Sequence, residues 1–411
     1  MNTNPEIKQD YWSYVKRQFK KNKRALFSLY LILFMSFIAL FADFIANEKP
    51  IVCKYQGKVY FPILKEYAVK LKLAKFAPEL NNIDWADADY DFVLRAPIPY
   101  SPTTQDILNF GFVSPFGKQD VPSVRWRHWL GTEGIGRDIL SALIHGTRIA
   151  FIIGLIAMSI ASIIGILLGS LAGFFGDTGI RISRAAFLVG CIFVCLGLFY
   201  FNAVDGLFMG ILAFLACMFI AYVVSRPLKL IPFLKPKMNI PVDIIVQRMI
   251  EVLVSIPRLF LIIAVVAISK PSIFLVMVVI GLTSWTEIAR FIRAELLRIR
   301  NLEYIEASEA LGFPRWRILL KHAIPNALSP VLITIAFGIA AAILTESFLS
   351  FIGLGIPPET LTWGKLLSLA QGGKSQLWVA IFPGFAIFLT VTLFNLIGEG
   401  LTDALDPRQK K

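Results

Sequence analysis

The sequence predicts an all-α polytopic membrane protein, and three observations predict it. Of 411 residues, 56% are hydrophobic and the mean hydropathy is +0.67, against roughly 45–50% apolar residues in soluble domains. The apolar residues gather into eight runs, each near the length of about 17–25 residues that carries a helix across a hydrocarbon core. The Lys and Arg behind the net charge of +13 collect in the stretches between runs. That pattern orients membrane proteins and does not point to nucleic acid. Cys53 stands outside the runs, and Cys191, Cys195 and Cys217 lie inside them. No disulfide framework or metal cluster follows, and the last three read as buried free thiols.

Residues 1–24 are polar, with Lys16, Arg17, Lys20, Lys21, Lys23 and Arg24 just before the first run. They predict a cytoplasmic N-terminus ahead of an anchor at 25–46. The run Ala25–Ile45 is long for a signal-peptide core, and Ala42 to Ala46 is not a cleavage site, so the anchor is read as retained. Residues 47–147 form an extracytoplasmic loop or small subdomain. It holds an aromatic-rich piece from Tyr55 to Pro62, an acidic patch at Asp84, Asp87, Asp89 and Asp91, and a proline-punctuated stretch from Pro97 to Pro102. The second span, Ala150–Phe175, repeats small residues every four positions at Ala157, Ala161, Gly165, Gly169 and Gly173, a stripe for close helix contact.

Two further runs, 185–201 and 207–224, flank the short segment from Asn202 to Gly206 and precede Arg226, Lys229, Lys235 and Lys237. They read as a hairpin that returns the chain to the basic side. Spans at Met249–Ile268 and Ser272–Ile288 follow, with Glu251 and Glu287 near their ends. Arg290, Arg293, Arg298 and Arg300 then hold a central loop, 289–326, inside. Leu328–Phe348 leads out and Leu377–Gly398 leads back, giving eight spans, both ends inside, and a tail at 406–411. Two glycine clusters mimic phosphate loops and fail. Gly131 and Gly136 lack the following Lys and Ser/Thr, and Gly372-Gly373-Lys374-Ser375 has Ser368 where the first glycine belongs.

The central loop is the most informative stretch. A helix over about Leu302–Leu311 stops at Gly312, whose residue type suits a left-handed helix end. Pro314 suits the first turn of a second helix. There Trp316, Leu319, Leu320 and Ala323 make an apolar stripe at helical spacing, and Pro325 ends or kinks the helix. Glu306-Ala307-Ser308, then Gly312, then His322-Ala323-Ile324-Pro325 resembles the EAA loop of ABC importer permeases. The general pattern has alanine at the place of Ser308 and an aliphatic residue at that of His322. The block His128, Gly131, Gly136, Arg137 and Asp138, with His145 and Arg148, resembles the segment before the second span of oligopeptide and dipeptide permeases. Asp138 there is placed to begin a helix. Glu346 to Pro358, Thr362-Trp363-Gly364 and the ending Asn395 to Arg408 resemble the same branch.

The resemblance implies a type I ABC importer permease core of six helices plus an inserted two-helix hairpin at about 185–241, with the permease domain at 148–405. It implies that Glu306, Ala307, Ser308, Gly312 and Pro325 couple the chain to an ATP-binding cassette. The expected partners are a second permease subunit in a heterodimer, two cassettes, an extracytoplasmic solute-binding protein and membrane lipid. ATP would be used by the partners and no cofactor bound by this chain. The expected site is the bacterial inner membrane and the cargo peptides or peptide-like compounds. The main alternative is an ion-coupled secondary transporter, which needs intramembrane ion ligands. A membrane-embedded enzyme fares worse, because His128 and His145 are expected outside and His322 inside.

Overall fold

The computed structural model describes residues 11–75, 80, 83–86, 88–204, 206–228, 230–372 and 376–405. Asp87, Lys229, Gly373 to Ser375 and the tail 406–411 lie outside the described residues. The chain is mostly helical. Seven described helices are long and apolar enough to cross a membrane: Lys23–Leu40, Ile139–Phe175, Arg184–Phe201, Met209–Leu228, Ile273–Ile299, Ser329–Phe351 and Leu377–Leu405. The eighth expected span is a broken pair, Val242–Ser255 and Arg258–Ile268. The continuous span expected over Met249–Ile268 is therefore corrected. Pro257 supplies no N–H and pushes Ile256 out of the helical region, so the helix cannot run through. The chain divides into two compact units: Met1–Ile164, Ile256–Ile288 and Leu328–Lys411 in one, Gly165–Ser255 and Ala289–Ala327 in the other.

In the first unit a short helix α1 (Tyr11–Lys21) precedes the span α2 (Lys23–Leu40), where a merely polar lead was expected. Val15 is buried, and Phe19 packs on a cluster of Ile32, Ala336, Leu393 and Ile397. Asn22 caps α2 through its Oδ1, which accepts from the N–H of Ala25 at 3.1 Å. After the single turn α3 (Ala42–Ile45) comes a three-stranded sheet in the order β2-β1-β3, with β1 (Val52–Tyr55), β2 (Lys58–Tyr60) and β3 (Phe92–Leu94) all antiparallel. Helix α4 (Pro62–Lys70) follows β2. Cys53 in β1 is the buried thiol.

Helix α5 (Ile139–Ser170) starts eleven residues before the expected Ala150 and continues as a π turn over Leu171–Phe175. The early start follows from Asp138, whose Oδ2 accepts from the N–H of Ser141 at 2.6 Å. The short helix α9 (Arg258–Ile268), the first part of α10 (Ile273–Ile299) and α14 (Ser329–Phe351) pack with α5 around Ile153, Ala157, Ile262, Val276, Ile280 and Leu349. A Cβ on Gly281 would lie 2.9 Å from the carbonyl oxygen of Ala157, so these backbones touch. Helix α15 (Trp363–Leu369) and span α16 (Leu377–Leu405) complete the unit.

In the second unit, the small-residue stripe of α5 packs within this chain at two positions. Cβ atoms on Gly169 and Gly173 would fall 2.6 and 2.7 Å from the carbonyl oxygens of Ala289 and Arg293. Helices α6 (Arg184–Ala203) and α7 (Leu207–Leu228) form the hairpin. Its base is a two-stranded ladder, β4 (Arg181–Ser183) against β5 (Lys237–Asn239). Because the strands lie side by side, the chain leaves and re-enters at one place. Cys191 and Cys195 are exposed on α6, correcting the expectation of buried thiols, because the hairpin presents most of its apolar surface outward. Helix α8 (Val242–Ser255) is tied to α10 by Asp243, whose two carboxylate oxygens accept from Nε and Nη2 of Arg293 at 2.5 and 2.7 Å.

Candidate functional site

The loop after α10 folds into α11 (Glu303–Ala310), α12 (Arg315–Ile318), a π turn over Leu319–Ala323, and α13 (Ile324–Ala327). Glu303 and Glu306 sit in the first turn of α11, where carboxylates favour the positive end of the helix dipole. The helix ends in a Schellman turn: the N–H of Phe313 donates to the Ser308 carbonyl at 3.2 Å, and that of Gly312 to the Glu309 carbonyl at 2.9 Å. Gly312 takes the left-handed value this turn needs, φ +80°, and a Cβ there would meet nothing within 4 Å. An ion pair from Glu309 to Arg315 at 3.2 Å bridges the turn.

Ile305, Ile318, Leu319, Ala323 and Ala327 are buried and anchor the loop. Burying Ile305 and Ile318 contributes about 1.5–3 kcal/mol each. The stripe expected at Trp316, Leu319, Leu320 and Ala323 is corrected, because Trp316 and Leu320 are exposed. The buried positions are 318, 319, 323 and 327, so Leu319 and Ala323 of the stripe do face inward, joined by Ile318 and Ala327. Of the two alternatives for Pro325, ending the helix is excluded, since a π turn over Leu319–Ala323 precedes it and helix continues through Ala327. A proline removes one backbone donor and crowds the preceding turn, and local widening accommodates it. Trp316 still rests its ring on Phe175, 4.7 Å between centroids.

Of the five residues implicated by the sequence, Glu306, Ala307, Gly312 and Pro325 are exposed and Ser308 is half-buried. The Ser308 hydroxyl donates to the Tyr304 carbonyl at 2.7 Å, so a serine in the alanine position adds no outward polar demand. Asn326 donates to the Tyr304 hydroxyl at 3.4 Å and to the His322 carbonyl at 2.7 Å, bringing the Pro325 end beside the start of α11. Around these lie the exposed apolar residues Tyr304, Leu311, Phe313, Trp316 and Leu320. The result is an anchored, low-relief surface with carboxylates at one end and apolar side chains around a bare glycine.

The block before α5 is built the opposite way. His128 is fully buried, its Nδ1 2.9 Å from Asp138 Oδ1 and its Nε2 3.1 Å from Asp106 Oδ2, and it stacks on Tyr100. Burial disfavours the charged ring, but the bonds and charges of Asp138 and Asp106 outweigh it and raise the His128 pKa above its ordinary value. Burial likewise favours a neutral Asp106, and the hydrogen bonds from His128 and Asn109 outweigh that and lower its pKa. Arg148 donates to the Ala39 carbonyl at 2.7 Å and pairs with Asp43 at 2.7 Å, fastening α5 to the end of α2. Asp106 carried no local sequence signal, being 22 residues from its partner. Glu346, buried in α14 and bonded by Ser350 at 2.7 Å, did carry one as the single acid in the run 328–348.

Long apolar helices joined by an anchored interhelical loop are the architecture of a multi-pass membrane protein. Residues 236–411 match the binding-protein-dependent transport system inner membrane component, and residues 10–57 match the N-terminal TM domain of oligopeptide transport permease C. The chain is 28% identical to the inner membrane ABC transporter permease protein YejE of Escherichia coli, over 98% of both chains. It is 26% identical to the peptidoglycan transport system permease protein YejE of Agrobacterium fabrum, over 96% of this chain and 92% of the other. It is 30% identical to the oligopeptide transport system permease protein OppC of Haemophilus influenzae, over 78% and 81%. The chain belongs to the family of binding-protein-dependent inner membrane transport components, the permeases of oligopeptide/dipeptide ABC importers. A permease of this family works in an ABC transport system with ATPase and binding-protein partners.

Proposed function

We propose that this chain is one of two different permease subunits of an importer that moves peptides or peptide-like compounds across the bacterial inner membrane. Two ATP-binding cassettes close on ATP and press on α11. Glu306 makes the polar contact, Ala307 and Ser308 allow close approach, Gly312 turns the chain and Pro325 sets the exit of the loop. The spans then rock between two access states around a central path. An extracytoplasmic binding protein delivers the cargo, and this chain binds no cofactor of its own. Both termini face the cytoplasm, a reading supported by the basic residues Lys16 to Arg24 and Arg290 to Arg300.

The observation that carries this reading is the loop itself: anchored by Ile305 and Ile318, yet leaving Glu306, Ala307 and Gly312 open amid exposed apolar side chains. The peptide part of the substrate class is supported by the oligopeptide relative, and the peptide-like part by the relative named for peptidoglycan transport. The test is uptake into vesicles holding the full complex. ATP-dependent peptide uptake abolished by Gly312→Trp, with the protein still in the membrane, supports the reading. Uptake that follows an ion gradient without ATP overturns it.

Glu346 is what an ion-coupled transporter would use, being buried within a span. Its carboxylate is already met by Ser350, Ser347 and Thr362, so the importer reading predicts that Glu346→Gln leaves the driving force unchanged. Loss of gradient dependence in that variant would favour the ion-coupled alternative.

A further inference from the structure

We propose that the segment 62–75, helix α4 with the turn that follows it, is an interfacial apron that lies on anionic phospholipid of the leaflet in which α2 ends. The proposal goes beyond the importer reading and holds whatever the cargo. The segment's depth is fixed by two ties to the end of the first span. The Tyr67 hydroxyl donates to Asp43, three residues past the end of α2, and Lys49 pairs with Glu66 at 2.9 Å. Leu40 and Phe41, at that end of α2, are exposed apolar residues at the level of the lipid.

The subdomain is sorted along one axis. Strand β1 leads away from the span to the turn at Gln56-Gly57, and α4 returns after β2, so its C-terminal end lies at the membrane end. Segment 62–75 carries Lys65, Lys70, Lys72 and Lys75 against the single acid Glu66, while Lys58 lies beside the hairpin turn at the far end. The acidic patch Asp84, Asp89 and Asp91 is at the other end, where the N–H of Asp91 donates to the Lys54 carbonyl next to the hairpin turn. Positive charge is thus toward the bilayer and negative charge away from it, the arrangement an anionic headgroup layer attracts.

Apolar side chains accompany the lysines. Leu64 and Ala68 share one face of α4, and Leu71 and Leu73 just beyond its end are 68% and 78% exposed. With Val59, Phe61 and Pro62, Leu64 and Ala68 line a groove of about 450 Å³. Interleaved exposed leucines and lysines on a short amphipathic element suit the boundary between headgroup and acyl chain. The turn itself is held in shape. The N–H of Leu73 donates to the Ala68 carbonyl at 2.8 Å and that of Lys72 to the Val69 carbonyl at 2.9 Å, the same Schellman pattern as at Gly312. The left-handed position here is Lys72, at φ +58°. A lysine held where glycine fits better keeps a charge between two exposed leucines, at a cost in backbone strain.

The test uses the full-length protein, with Cys53, Cys191, Cys195 and Cys217 replaced by alanine, in nanodiscs of phosphatidylcholine with or without phosphatidylglycerol. Spin labels go at Leu71→Cys, Leu73→Cys and Asp89→Cys, and collision with oxygen and with a water-soluble nickel complex is read. Labels at 71 and 73 should meet oxygen and be shielded from nickel, more so with phosphatidylglycerol, and the label at 89 should show the reverse. Lys72→Gly in the same background should retain the fold, because glycine suits φ +58°, and should lose part of the phosphatidylglycerol effect. Equal nickel access at 71, 73 and 89 overturns the proposal. Shielding that appears only on adding the solute-binding protein also overturns it, and assigns the face to a protein. A wild-type chain that retains no more phosphatidylglycerol through purification than its Lys65→Glu, Lys72→Glu, Lys75→Glu variant counts against it independently of the labels.

Discussion

Gly131 and Gly312 both take left-handed backbone, at φ +78° and +80°, and their surroundings are opposite. A Cβ on Gly131 would fall 2.4 Å from the Val113 carbonyl oxygen and 3.0 Å from Trp378, whereas one on Gly312 would meet nothing. The same contrast holds for charge. In the block before α5, His128, Glu133, Arg137 and Asp138 are buried and paired with one another or with Asp106. In the loop around Gly312, Glu306 and the Glu309–Arg315 pair are exposed. A block that completes its contacts inside one chain is a structural fastening. One that leaves its distinctive residues uncovered, on a firmly anchored base, is what the proposed contact with an ATP-binding cassette requires.

The contrast breaks most visibly at His128. His128→Ala would leave Asp138 and Asp106 without their shared partner and should cost about 3–5 kcal/mol, read as a lower melting temperature or loss from the membrane. The pH dependence sharpens it. The raised His128 pKa means its contribution is fully present below the unfolded value and is lost as pH rises through the folded one. The lowered Asp106 pKa gives a contribution present above the unfolded carboxylate value and lost as pH falls through the folded one. A melting-temperature profile should therefore decline on both sides, and His128→Gln should remove the alkaline decline.

Next in size is Gly131→Ala, with a backbone clash of about 1–3 kcal/mol added to the left-handed cost of about 1–2 kcal/mol. Gly312→Ala meets no clash and should cost only the latter, about 1–2 kcal/mol; equal melting-temperature losses for the two alanine variants would erase the contrast. Smallest is Arg315→Ala, which removes an exposed ion pair worth about 0–1 kcal/mol and should shift the melting temperature little, and less still in high salt.

The fold class was legible because span length and charge placement are local properties. So was the turn at Gly312, because a glycine shortly before Pro314 suits a helix end, whereas the same turn at Lys72 carries no such mark. The register of the following helix was not. Leu319 and Ala323 are buried as their spacing suggests, but Ile318 and Ala327 are buried where Trp316 and Leu320 were expected, and nothing local marks that choice of face. Pro257 was a readable breaker, lost inside an apolar run long enough to pass as a span. The partnership of His128 with Asp106 was beyond reach for another reason. Nothing near Asp106 in sequence marks it, and the loop that brings the two together is set by tertiary packing.

The most direct measurement of the central claim is purification of the tagged chain from solubilised native membranes, as wild type, Gly312→Ala and Gly312→Trp, with the co-purifying ATP-binding cassettes quantified beside each variant's melting temperature. The account predicts that wild type and Gly312→Ala retain the cassettes, while Gly312→Trp loses them at a melting temperature close to that of Gly312→Ala. Cassettes retained in full by a well-folded Gly312→Trp would contradict it.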